Sequence, residues 1–227
     1  MHPRHAPGPA QPAAVLFDMD GTLVDTEHLW WQAVTEVAEG LGYRVTDADL
    51  PEVLGRPVAH TAGHLRRAAG PGVPQARIAG DLDAAFVAKV TAEVRPRPGA
   101  LRLLAELRAA AVPVALVTAS PRRVVEVVLR TLGERWFTLT VAAEDTVRTK
   151  PAPDPYLTAA ERLGVAPGDC VAVEDSPLGV DSARAAGCPV VAVPSTVAIA
   201  RAPGIMVLPS LEQVDLVLLS AFAAAPA

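Results

Sequence analysis

Val15-Leu16-Phe17-Asp18-Met19-Asp20-Gly21-Thr22-Leu23-Val24-Asp25 decides how the rest of the chain is read. An apolar run ends in two carboxylates at positions i and i+2, then a glycine and a threonine. On a strand such residues point to the same side. Asp18 and Asp20 therefore leave the strand's carboxyl end towards one point. Like charges that close oppose each other's ionisation unless a cation or a shared proton offsets them. Hard carboxylate oxygens suit Mg²⁺. Gly21 permits a sharp turn where a side chain would be in the way.

Outward from this stretch the hydrophobic period changes. Residues 13–18 are a near-continuous apolar run, as in a strand buried on both faces. Leu29, Trp30, Ala33, Val34, Val37, Ala38 and Leu41 then recur at helical spacing, with Gly40 and Gly42 as the stop. Short helix 46–50, turn 54–57 and helices 58–69 and 75–94 follow, and no strand is expected between 30 and 95. After the linker Arg95-Pro96-Arg97-Pro98-Gly99, strands and helices alternate. Helix 100–111 leads to strand 112–118, a helix opened by Pro121 and running through Leu132, and strand 138–142. Helix 155–163, strand 170–173, helix 177–186, strands 190–193 and 205–208 and a last helix 211–219 complete the chain. This alternation predicts an α/β fold: a Rossmann-like parallel sheet core with helices on both faces, plus an inserted all-α cap domain. The expected division is a disordered tail over 1–12, an α/β catalytic core over 13–29 and 96–227, and a helical cap over 30–95. In such sheets ligands sit outside the carboxyl ends of the strands. A helical insert leaving the first strand there would act as a lid.

Composition narrows the partners. A formal net charge of −5 argues against gripping nucleic acid through net charge. No apolar run approaches the ~20 residues of a membrane helix. Residues 1–12 have no apolar core of a secretory signal, so a cytoplasmic protein is expected. Cys170 and Cys188 abut valine-rich runs and read as small buried hydrophobes. Arginines number 18 against two lysines, which draws attention to Lys89 and Lys150.

The predicted strand ends collect the chemistry. The first gives Asp18 and Asp20, the second Thr118 with Ala119 and Ser120. The segment before the helix at 155 gives Thr149-Lys150-Pro151, and the strand at 170–173 gives Glu174-Asp175-Ser176. So many acids need a cation. A phosphoryl group needs one too, together with donors for its oxygens. Ser120 reads as the N-cap of the following helix. Asp25 reads as a residue that caps or orients the loop into the lid, and Asp181 as a tie to the acidic loop.

FDMDGTLVDTE, LVTAS, KPAPDPYLTAAERLG and VEDSPLGVDSARAAG resemble, in order, the four motifs of haloacid dehalogenase-like phosphatases. The chain looks like the subgroup with a small helical cap that holds beta-phosphoglucomutase and the sugar-phosphate phosphatases. The resemblance implies that Asp18 is the nucleophile and that Asp20 is the general acid/base. It implies a Mg²⁺ cofactor held by Asp18, Asp175 and the Asp20 backbone carbonyl, with Glu174 binding directly or through water. Thr118 and Lys150 would grip the phosphoryl oxygens, helped by main-chain amides near Met19 and Ala119.

Substrate choice is expected in the cap and its entry loop. The candidates there are Glu27, Trp30 and Arg56, with His28, Trp31, His60 and His64 behind them. One of the adjacent tryptophans should pack the cap core while the other lines the opening. His60 and His64 read as a polar helix face. Counting from the nucleophile places Trp30 where the mutase carries a histidine. Val58 and Gly80 fall near its cap arginine and lysine. The expected activity is therefore Mg²⁺-dependent hydrolysis of a small-molecule phosphate ester of a sugar or polyol, through an aspartyl-phosphate. A sugar phosphomutase and a non-catalytic phosphate-ligand module are the alternatives. Phosphonate hydrolysis would require Lys89 as a Schiff-base lysine. A monomer or weak homo-oligomer is expected.

Overall fold

A computed structural model describes residues 11–70 and 72–224. Up to residue 10 the tail expected over 1–12, with His2 and His5, lies outside the described residues. The chain begins with β1 (Ala14–Phe17), then α1 (Glu27–Gly40), α2 (Leu50–Val53), α3 (Val58–Ala69), α4 (Gln75–Glu93) and α5 (Ala100–Ala109). It continues through β2 (Val114–Val117), α6 (Arg122–Leu132), β3 (Leu139–Val141), α7 (Asp154–Leu163), β4 (Cys170–Glu174) and α8 (Pro177–Ala185). It closes with β5 (Val190–Ala192), β6 (Ile205–Val207) and α9 (Leu216–Ala223). Among the described residues no helix is long and apolar enough to cross a membrane.

The six strands are parallel, in the order β3-β2-β1-β4-β5-β6. Alternation along each strand explains why both faces are covered. Val15 and Phe17 of β1 join Leu116, Val171, Val173 and Val191 in one core. Ala14 and Leu16 join Ala115, Val117, Ala172 and Val190 in the other. Helices α5 and α9 close the first face and α7 and α8 the second. Strand order reverses between β1 and β4, and the carboxyl end of that gap is where doubly wound sheets place their ligands. The register sets Phe17 beside Val173 and the Asp18 amide on the Val173 carbonyl at 2.9 Å. The sheet therefore delivers Asp18 next to Glu174. Cys170 and Cys188 are buried and free, and burial pushes their thiols up to about 11 and about 12.

Between β1 and α5 every element is helical. Helices α1 and α4 serve two cores. Leu29, Ala33, Phe86 and Val90 extend the core under the sheet. Val34, Ala38, Ile78 and Leu82 close with Val53, Ala62 and Leu65 into a separate cluster. The chain leaves and re-enters the sheet domain along paired backbones: Asp25 N donates to Arg95 O and Arg97 N to Leu23 O, both at 2.9 Å. Asp25 itself is not a cap. Thr26 precedes the helix, and the Asp25 carboxylate lies 3.5 Å from His28, one turn on.

Asp49 is the polar knot of the insert. Its carboxylate accepts from Thr46 N at 2.8 Å and Tyr43 OH at 2.8 Å, and meets His64 Nε2 at 2.7 Å. Burial opposes its ionisation, but the bonds from Thr46, Tyr43 and His64 outweigh it and lower the pKa to about 2. A folded pKa below the unfolded value adds stability that is complete above the unfolded pKa and is lost as pH falls through the folded one. Asp49→Ala is expected to lower stability by about 2 kcal/mol at neutral pH, the scale of hydrogen bonds to a buried carboxylate. The gap between variant and parent should narrow between pH ~4 and ~2. Urea unfolding at neutral pH and at pH ~3 checks both; a pH-independent gap would remove the carboxylate from the explanation.

Three local expectations are corrected. The segment 211–219 is not one helix. A short turn over Leu211–Gln213 ends at Val214, and Asp215 caps α9 afresh by accepting from Leu218 N. Pro121 is the N-cap of α6 rather than its first residue. Asp181 is exposed on α8 and does not tie down the acidic loop.

Candidate active site

Each site residue sits where a strand stops or a loop crosses the sheet's carboxyl edge. Asp18 follows β1, Thr118 follows β2, and Glu174 ends β4 with Asp175 next. Lys150 reaches in from the loop before α7. Its ammonium donates to Asp18 Oδ1 at 2.6 Å, Glu174 Oε1 at 2.5 Å and Val117 O at 2.9 Å. All three donors are used. Burial alone would lower its pKa, but Asp18 and Glu174 more than reverse that, so it stays charged.

The buried acids outnumber this ammonium. Asp18, Glu174 and Asp175 bring oxygens within 4.8 Å of one another. Burial raises the Asp175 carboxyl, reinforced by the charges of Asp18 and Glu174, while Ser195 opposes the rise. Glu174 is raised by burial against the pull of Lys150, and accepts from Tyr156 OH at 2.6 Å. Asp18 Oδ2 is buried without a hydrogen-bond partner. An orphaned carboxylate oxygen amid excess negative charge fits a hard divalent cation. The residues that could hold one are Asp18, Glu174 and Asp175.

Two glycines make the packing possible. A Cβ on Gly21, where φ is +79°, would lie 2.1 Å from Asp175 Oδ2. A Cβ on Gly179 of α8 would lie 2.0 Å from the Glu174 carboxylate oxygens. Any side chain at either place would displace an acid of the cluster.

Asp20 is held apart from those acids. Thr26 donates to its Oδ1 at 2.9 Å, and Thr118 and Ser120 donate to Oδ2 at 3.1 and 2.7 Å. Burial raises its pKa, the Asp18 charge adds to this, and the three hydroxyls partly reverse it. The Asp20 side chain is outside the acidic cluster, so its carboxylate is not one of the grouped ligands. Ser120, expected as a helix cap, instead orients Asp20. The Thr118 hydroxyl is likewise turned to Asp20 here.

A cavity of about 170 Å³ opens over Asp18, Asp20, Lys150 and Asp175. Helices of the insert close it with Trp30, Val58, Asp83 and Phe86, and the turn Gly55-Arg56-Pro57 forms a rim. The volume is below the ~300–1,000 Å³ of drug-sized pockets and suits a small ligand. Glu27, Ala119, Trp30 and Arg56 all line it. Glu174 does not; it lies fully buried beneath. Trp30 combines the two roles expected of separate tryptophans. Its Nε1 donates to Val53 O at 3.0 Å, its ring meets Phe86 edge-on at 5.4 Å, and it still faces the cavity. Trp31 packs only on the insert's own core. His28, His60 and His64 are outside the cavity lining, and His60 and His64 are paired to Glu52 and Asp49. Lys89 is paired to Glu36 at 2.9 Å, also outside, so no lysine of the insert is available for a Schiff base.

Sequence reasoning missed Ser120's role, Tyr156, Ser195, Asp83 and Phe86. Tyr156 alone carried a signal: a tyrosine on the apolar face of a buried helix needs a partner for its hydroxyl. Asp83 faces the cavity and also pairs with Arg123 of α6 at 2.6 Å, joining insert to core.

Comparison with known proteins gives the family of the chain. A haloacid dehalogenase-like hydrolase family model matches residues 12–187. Hexitol phosphatase A of Escherichia coli is 36% identical over 205 residues, covering 89% of this chain and 88% of that protein. Validoxylamine A 7'-phosphate phosphatase of Streptomyces hygroscopicus is 35% identical over 181 residues, 76% of this chain and 81% of that protein. The crystal structure of CbbY from Rhodobacter sphaeroides in complex with phosphate superposes with a TM-score of 0.78 at 29% identity, covering 88% of this chain and 95% of that one. The chain belongs to the haloacid dehalogenase-like hydrolase family.

Proposed function

We propose that this protein is a Mg²⁺-dependent phosphatase that hydrolyses a small phosphate monoester of a sugar or polyol. One observation carries the reading. Two carboxylates share one cavity in opposite settings: Asp18 is fixed by Lys150 with one oxygen unpartnered, and Asp20 is held by three hydroxyls with its pKa raised. Two carboxylates with such different partners suit the separate roles of nucleophile and proton carrier. Asp18 attacks phosphorus, its oxygen–phosphorus bond forming as the bond to the leaving oxygen breaks. Asp20, entering protonated, gives its proton to that leaving oxygen. It then takes a proton from water as the water attacks the aspartyl-phosphate, which frees phosphate and restores Asp18. Lys150 orients Asp18 by donating to its Oδ1. Asp18, Asp175 and Glu174 or the Asp20 carbonyl would hold Mg²⁺, and when bound it would supply charge neutralisation for the phosphoryl oxygens. Thr118, Ala119 and Lys150 line the phosphoryl end and Trp30, Arg56 and Glu27 the alcohol end. The names of the hexitol and validoxylamine phosphate phosphatases support a polyhydroxylated alcohol as leaving group.

Phosphate release from p-nitrophenyl phosphate, then from a panel of sugar and polyol phosphates, tests the proposal. Release should need Mg²⁺ and stop on chelation. Asp20→Asn should lower turnover roughly 10²–10⁴-fold, the usual worth of a positioned proton carrier, while calorimetry still detects Mg²⁺ binding. Hexose phosphate isomerisation primed by a bisphosphate would make it a mutase. Ligand binding without turnover would make it a binding module.

A further inference from the structure

Two buried side-chain oxygens that lack a hydrogen-bond partner, among the described residues, belong to residues of the same cavity: Asp18 Oδ2 and Glu27 Oε2. Hydrolysis as proposed accounts for the first and makes no use of the second. Glu27 is the first residue of α1 and feels the charges of Asp20 and Asp18. Burial pushes its carboxyl up, and the Thr196 hydroxyl relieves this only in part.

The two cations that line the cavity are engaged elsewhere, and the Arg97 charge, from outside the lining, relieves Glu27 only in part. The three donors of Lys150 are taken by Asp18, Glu174 and Val117. Arg56 is exposed on the rim and donates through Nε to Pro51 O at 2.9 Å. Asp83, across the cavity, has its own partner in Arg123. Glu27 Oε2 is thus an acceptor of the wall that no side chain satisfies. A carboxylate oxygen without a donor favours a ligand that brings one, and a carboxylate whose charge is only partly offset disfavours a ligand that brings another negative charge.

We propose, resting on the phosphatase reading, that Glu27 is a specificity-determining residue. It accepts a hydrogen bond from a hydroxyl or ammonium on the leaving-group alcohol, and it selects against leaving groups bearing a carboxylate or a second phosphate. The preferred substrate class is then the monophosphate of an uncharged or amine-bearing polyol.

Three esters of one size test this: ethylene glycol monophosphate, phosphoethanolamine and phosphoglycolate, which end in hydroxyl, ammonium and carboxylate. The wild-type protein is expected to prefer the first two by at least about tenfold in kcat/KM, a discrimination within reach of a polar contact left unmade. In Glu27→Gln the preference should shrink to about threefold or less, chiefly through a lower KM for phosphoglycolate. Glu27→Ala should lose the preference as well. The ratio is internal to each variant, so partial misfolding does not move it. Equal turnover of the three esters by the wild type, or an unchanged ratio in Glu27→Gln, would overturn the assignment and leave the phosphatase reading intact. No turnover of any ester, p-nitrophenyl phosphate included, would overturn both.

Discussion

Lys150→Ala is expected to cripple stability and activity together. Lys150 is 7% exposed, and its ammonium bridges two buried carboxylates and a carbonyl. Without it Asp18 and Glu174 remain buried, adjacent and unpaired. Removing one partner of a buried ion pair typically costs about 3–5 kcal/mol. For a domain of this size that lowers the melting temperature by on the order of 10 °C. Turnover should fall at least ~100-fold, since the charge that fixes the nucleophile is gone. Lys150→Arg should not rescue it. A planar fork cannot serve three acceptors gathered around a point charge. Thermal unfolding with a chelator present, beside steady-state kinetics, gives both numbers. A variant that melts with the parent would show that the cluster does not depend on this ammonium.

Asp18→Asn separates the two effects. The amide keeps the shape of the carboxylate and removes its charge. Turnover should fall by roughly 10⁴–10⁶-fold, the range for loss of a nucleophile. The melting temperature should hold or rise, because one of three crowded acids has become neutral and Lys150 still has Glu174. A residual rate within about tenfold of the parent would exclude Asp18 as the attacking group. Opposite stability changes in Lys150→Ala and Asp18→Asn, with activity lost in both, would identify the cluster as held against its own repulsion.

Much of this was legible in the chain because it follows from local rules. Strands β1, β2 and β4 are buried apolar runs, so their carboxyl ends could be found by where the run stops, and Asp18, Thr118 and Glu174 stand at those stops. Gly164 and Gly187, which follow the expected helices 155–163 and 177–186 directly, take φ of +70° and +90°. What escaped was set by residues distant in sequence. Ser120 looked like a cap because it precedes Pro121, but its hydroxyl is claimed by Asp20, 100 residues earlier. His60 and His64 looked like one face, yet each has a different carboxylate, Glu52 and Asp49. The roles of Trp30 and Trp31 depended on how α1 rolls against α4. Spacing gives the angle between two side chains on a helix and leaves that rotation open.

Tyr156 gives the cluster a spectroscopic handle. Its hydroxyl donates to Glu174 at 2.6 Å and its ring centroid lies 5.1 Å from the Lys150 ammonium. The protein has two tyrosines, and the other, Tyr43, belongs to the Asp49 knot of the insert. Fluorotyrosine labelling would therefore yield two ¹⁹F resonances, one for each polar centre. Titrating cation or phosphate while following that pair would distinguish charge rearrangement beneath the cavity from movement of the helices above it, without a mutation in either.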